Sequence, residues 1–170
     1  ASLAAYLPFD AQSRKLLNEY APQGRVSKLS AKWKGDAEQL QTYSLRADFE
    51  ALALKAQGYF PGFTGLSGSL EANEKGGKAT LDSQKSSIDV PSVFPVSLIE
   101  LDSLSALAKW KLNKGELQAE LTQVTFSSPD AAGSAQGTYQ TAGDGPGIVD
   151  LTASLSRADA RAVWRYMPHA

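Results

Sequence analysis

The sequence predicts a mainly β fold: one long antiparallel sheet with a single apolar face and a short α-helix near each terminus. Three observations predict it. Apolar and polar residues alternate from about residue 25 to residue 155, which in a strand sends the apolar set to one face. Short turn clusters separate the alternating runs, and short connections favour antiparallel pairing. Helical periodicity is confined to the two ends.

The first helix is expected from Ala11 to Tyr20, with Asp10 as N-cap, Leu16, Leu17 and Tyr20 as its apolar stripe, and Pro22 and Gly24 as its stop. Strands follow. Leu29, Ala31 and Trp33 alternate with lysines and serine, and Tyr43, Leu45, Ala47 and Phe49 alternate with Ser44, Arg46, Asp48 and Glu50. Leu52 and Leu54 then carry the apolar face on in the opposite phase, so a β-bulge is expected near Glu50–Ala51. Leu66, Gly68 and Leu70 lead into Asn73-Glu74-Lys75-Gly76-Gly77, a hairpin turn, and Leu81, Ile88 and Val90 mark return strands. Leu104, Ala106, Ala108, Trp110 and Leu112 form the longest clean alternation, turned by Asn113-Lys114-Gly115 into Leu117, Ala119 and Leu121. Val124 and Phe126 come next, then Ala135, Gly137 and Tyr139, and after Gly143–Gly147 the run Val149, Leu151, Ala153 and Leu155. Roughly nine or ten strands are expected. The second helix is expected from Arg157 to Tyr166, with Ser156 and Asp159 spaced as in a capping box.

Two internal echoes suggest a tandem array. Leu29-Ser30-Ala31-Lys32-Trp33-Lys34 is answered by Leu107-Ala108-Lys109-Trp110-Lys111, and Tyr6-Leu7-Pro8 by Tyr166-Met167-Pro168. The expected organisation is a single domain over 1–170, an internal segment of a longer repetitive protein, whose last helix starts the next repeat.

Composition narrows the function classes. The 170 residues carry 17 Lys+Arg against 18 Asp+Glu, so no net field draws in nucleic acid. There is no cysteine and a single histidine, His169, which leaves nothing from which to build a thiolate metal site or a histidine-based triad. No run of about 18 apolar residues could span a bilayer. Ser67 in Gly65-Leu66-Ser67-Gly68-Ser69 lacks the glycine spacing and the base of a nucleophile elbow. The alternating Gly143, Gly145 and Gly147 precede a strand and not a helix, so they read as a turn. Asp82, Asp89, Glu100 and Asp102 are scattered over β-segments and read as wet-face carboxylates; a glycosidase would need two of them facing across a cleft. Arg157, Arg161 and Arg165 recur every four residues, either a solvated helix face or a contact for anionic headgroups. The apolar face must itself be covered, by closure into a sandwich or barrel or by a ligand with long acyl chains in an open trough.

Several segments resemble YhdP-type proteins of the AsmA-like superfamily. They are Gly24-Arg25-Val26-Ser27-Lys28-Leu29-Ser30-Ala31-Lys32-Trp33-Lys34-Gly35-Asp36 and Gly58-Tyr59-Phe60-Pro61-Gly62-Phe63-Thr64-Gly65-Leu66-Ser67-Gly68-Ser69-Leu70, of which Pro-Gly-Phe-x-Gly-Leu-x-Gly-x-Leu is the most specific part. Phe126–Gly133, Asp150–Ala153 and Trp164–Pro168 are similar as well, so the likeness runs from about Tyr6 to Pro168. The resemblance implies a non-catalytic segment, without cofactor or metal, of a periplasmic protein anchored in the bacterial inner membrane. It further implies that the antiparallel sheet is curved into an open, taco-like β-groove that conducts phospholipid towards the outer membrane, with acyl chains and neighbouring repeats of the same chain as partners.

On that reading the groove is lined by Trp33, Phe49, Leu52, Leu54, Leu70, Leu81, Ile88, Leu104, Trp110, Leu121, Val124, Phe126, Tyr139, Leu151 and Leu155, with Arg157, Arg161 and Arg165 at headgroups. An acidic residue at Leu104 or Trp110 is then expected to damage transport more than folding. The rival readings are a closed β-sandwich that binds protein partners and a carbohydrate-active β-protein.

Overall fold

The computed structural model describes residues 19–36, 39–58, 60–91, 93–113, 115–141, 143 and 147–167. They form one eight-stranded antiparallel sheet in sequential order: β1 (Gln23–Asp36), β2 (Gln39–Leu54), β3 (Gly62–Asn73), β4 (Gly76–Asp89), β5 (Leu98–Asn113), β6 (Glu116–Ser127), β7 (Ala131–Gln140) and β8 (Ile148–Ala158). β1 and β8 are its open edges, so among the described residues neither a second sheet nor a closed barrel exists. The closed-sandwich alternative is thereby corrected.

The strands are long because the apolar phase survives the interruptions within them. Ala51 takes a left-handed φ of 51° where the β2–β3 register shifts between Phe49 and Leu52, which places the expected bulge at Glu50–Ala51. Lys28, Lys85 and Gln123 adopt the same region in β1, β4 and β6, and Gly65 does so in β3. Each extra residue returns the apolar side chains to their original face. This also corrects the strand count. Leu81 and Ile88 belong to one strand kinked at Lys85, and Leu121 and Val124 to one strand bulged at Gln123.

Bulges interrupt the backbone ladder, and serines close the gaps. The Ala51 N–H donates to Ser67 Oγ at 3.2 Å, and the Ser67 N–H donates to Ser83 Oγ at 2.9 Å. Ser83 Oγ in turn donates to the Ser67 carbonyl at 3.2 Å. Main-chain groups left without a partner would cost free energy, which accounts for a wholly buried serine on the apolar face. Ser67, the residue of the rejected nucleophile elbow, is a bridge between β2 and β4.

The core lies at the end of the sheet away from the β3–β4 and β5–β6 turns. Leu66, Leu101 and Leu104 are its buried centre, and Phe49, Leu52, Phe63, Leu81, Ile88, Ile99, Val124 and Phe126 pack against them. Small residues on β4, Ser83 and Ser86, sit between Leu66 of β3 and Leu101 and Leu104 of β5, so leucines two strands apart meet above them. The sheet also creases towards this face. A Cβ at Gly68 would lie 2.0 Å from the Thr80 carbonyl oxygen of β4, and one at Gly137 would lie 2.4 Å from that of Asp150 in β8.

At the N-terminal side, the expected helix from Ala11 lies outside the described residues except Glu19 and Tyr20, which are helical. The Tyr20 carbonyl accepts from the Lys55 N–H at 2.9 Å, and its ring meets Phe60 edge-on at 5.3 Å. At the other end the expected helix from Arg157 is corrected. Arg157 and Ala158 pair with Ala132 and Ala131, so β8 continues through them, and only a 3-10 helix, Ala160–Tyr166, follows. Its N-cap is Asp159, whose side chain accepts from the Arg161 N–H.

Gly68→Ala is expected to destabilise the chain by about 1–3 kcal/mol, because the added methyl meets main chain that cannot retreat without breaking ladder bonds. Urea denaturation measures this, and an unchanged midpoint would contradict the crease.

Candidate functional site

The strand register sorts the sheet into two faces. One cross-strand row runs Ala31, Leu45, Ala72, Gly77, Trp110, Ala119, Tyr139 and Val149. The neighbouring row runs Ser30, Arg46, Glu71, Lys78, Lys109, Glu120, Thr138 and Asp150 on the opposite face. The first belongs to a face that is apolar on all eight strands, and every groove residue expected from the sequence lies on it.

The structure divides those residues by burial. Phe49, Leu52, Leu81, Ile88, Leu104, Val124 and Phe126 form or pack against the core. Leu54, Leu70, Trp110 and Tyr139 are half-buried. Trp33 (55% exposed), Leu151 (59%) and Leu155 (56%) stand open on the edge strands β1 and β8, and Leu121 is exposed on β6 near the hairpin turns. The apolar face is thus packed around Leu66, Leu101 and Leu104 and bare at both edges and towards the turns. Leu104 is only 8% exposed, so a charge there would strike the core. An acidic substitution that spares folding belongs at Trp33 or Leu151.

The three arginines expected at headgroups have partners within the chain. Arg157 donates to the carbonyls of Ser128, Pro129 and Ala131, and Arg161 pairs with Asp159 at 2.7 Å. Arg165 Nη1 donates to Asp130 Oδ2 at 2.7 Å, and Tyr166 Oη donates to the same oxygen at 2.9 Å. Burial and then the neighbouring Asp130 carboxylate hold the Tyr166 phenol above its usual range. The Asp130 contacts fasten the C-terminal turn to the β6–β7 corner, and the Phe94–Tyr166 edge contact at 6.4 Å ties it to the β4–β5 connection. The carboxylates considered for catalysis are not ladder partners of one another. Asp82 stands opposite Ser105, Glu100 opposite Ser87 and Asp89 opposite Leu98, while Asp102 pairs with Lys85 at 3.8 Å. No group of three or more metal-ligating side chains occurs among the described residues.

The polar face holds a feature that the apolar pattern did not reveal. A cleft of about 1100 Å³ crosses β1 to β7 near the hairpin turns. Its lining combines two polar rows, Ser44, Asn73, Lys111, Gln118 and Gln140 on one side and Arg46, Glu71, Lys78, Lys109, Glu120 and Thr138 on the other. The strip between them, Leu45, Ala72, Gly77, Trp110, Ala119 and Tyr139, sends its side chains to the apolar face, so its main chain floors the cleft. A strongly twisted sheet is saddle-shaped, hollow on each face along a different direction. The sequence signal was available in the same period-two alternation read in the opposite phase, with Lys109 and Lys111 flanking Trp110.

Within the cleft, Glu71 accepts ion pairs from Arg46 at 3.2 Å and Lys78 at 3.3 Å. Burial works to raise the Glu71 carboxyl, but hydrogen bonds from Lys78 and Arg46 and their charges outweigh it and hold the carboxyl below its ordinary value. A lowered folded-state pKa contributes stability above the ordinary carboxylate value that is lost as pH falls through the folded one. The destabilisation caused by Glu71→Gln is therefore expected to shrink as pH falls through that window. Denaturation across acid pH checks it, and a cost that grows with acid would contradict the assignment.

A family model described as YhdP protein matches residues 1–170. No curated protein and no solved structure matches the chain.

Proposed function

The chain belongs to the YhdP family, and on that premise we propose that its apolar sheet face carries lipid acyl chains. In this reading it is a non-catalytic groove segment of a periplasmic protein anchored in the inner membrane, conducting phospholipid towards the outer membrane and supporting envelope integrity. Neighbouring segments of the same polypeptide extend the groove, and neither cofactor nor metal takes part.

One observation carries the reading. Eight strands keep a single apolar face in phase from edge to edge, and that face stays exposed at Trp33, Leu151 and Leu155. Such a strip costs free energy in water and gains it by covering hydrocarbon, about 0.8 kcal/mol for each methylene removed from water. The face offers acyl chains a dry path and little to bind a compact polar substrate. Among the described residues no helix is long and apolar enough to cross a membrane, so anchoring in this reading falls to other parts of the polypeptide.

Native mass spectrometry with lipid extraction of the purified chain tests the proposal. Co-purified phospholipid is expected, and Trp33→Glu with Leu151→Glu should lower its amount on the order of ten-fold without loss of β-structure. A lipid-free wild-type chain, or lipid retained by the folded double variant, counts against the reading.

A further inference from the structure

The polar cleft lies on the face opposite the apolar one, and its charge is lopsided. Its lining carries the cations Lys32, Arg46, Lys78, Lys109 and Lys111 against the carboxylates Glu71 and Glu120. Three positive charges are left in excess on a face of a chain whose formal net charge is −1. Arg46 and Lys78 are shared with Glu71, whereas Lys32, Lys109 and Lys111 have no ion-pair partner among the described residues.

We propose that this cleft is a docking surface for an acidic polypeptide segment of a partner protein, laid across the strands. Shape and charge spacing support that occupant. Seven strands at about 4.8 Å spacing make the cleft about 29 Å long, the length of a helix of about 20 residues. The unpaired lysines stand on β1 and β5, too far apart for one small anion to meet them together and well placed for carboxylates strung along a chain. A flat bilayer surface fits less well, because the concavity draws the floor away from it. The chain's own first 18 residues are no substitute, since they hold Arg14 and Lys15 against the single acid Asp10. Polar rims of this kind govern encounter and selectivity, so binding is expected to weaken steeply with salt. The inference is independent of what the apolar face carries.

Fluorescence anisotropy with a labelled Glu-rich peptide of about 20 residues tests it. Lys109→Glu with Lys111→Glu is expected to weaken binding at least about ten-fold. Arg25→Glu with Lys85→Glu makes the same charge change at exposed positions outside the cleft and is expected to cost less than about two-fold. Lys109→Gln with Lys111→Gln serves where charge reversal impairs folding, with a smaller loss in the same direction. No peptide binding, or equal loss in the two charge-reversed proteins, overturns the proposal. So does cleft-dependent binding to phosphatidylglycerol vesicles without peptide binding, which would assign the surface to a membrane.

Discussion

Keeping apolar side chains in phase across eight paired strands is the constraint on which the rest of the structure depends. A strand has two faces, and one uncompensated residue would turn everything beyond it inside out. Strands of up to 16 residues run about 50 Å, long enough for twist to force irregularities. The chain meets this with bulges at Lys28, Ala51, Gly65, Lys85 and Gln123, and with Ser67 and Ser83 completing the hydrogen bonds the bulges displace. Ser83 is buried because the bulge leaves Ser67's main chain without a ladder partner, and it is small because Leu66 and Leu104 meet above it.

From that constraint the two faces acquire different fates. The apolar face closes on itself where β2 to β6 bring large side chains together, and it remains open on the edge strands β1 and β8 and, near the hairpin turns, at Leu112 of β5 and Leu121 of β6. The same twist that hollows the apolar face along one direction hollows the charged face along another, where Glu71 sits between Arg46 and Lys78. A single sheet thus presents two surfaces of opposite character, with no second layer of secondary structure among the described residues.

Much of this was legible in the residues. Alternation located the strands and assigned Trp33, Phe49, Trp110 and Leu151 to one face, and the slip after Glu50 marked its bulge. The kink at Lys85 was not legible as such, because the paired strand kinks with it and the apolar residues on both sides read as separate strands. Nor could alternation separate Leu104 from Leu151. Both are apolar residues in clean runs, and only their distance from the sheet edge makes one core and the other surface. The arginines spaced every four residues read as a helical stripe. Arg157 instead serves a strand end, and the other two are held by Asp159 and Asp130.

The period of two itself offers the most direct test of the central claim that the apolar face meets lipid. A photo-crosslinking residue is placed in turn at each position from Val149 to Leu155 of the full-length protein in living cells, and lipid adducts are scored. Adducts at positions 149, 151, 153 and 155, with none at 150, 152 and 154, are the predicted result. Equal labelling in both phases, or adducts only at the polar positions, would contradict it.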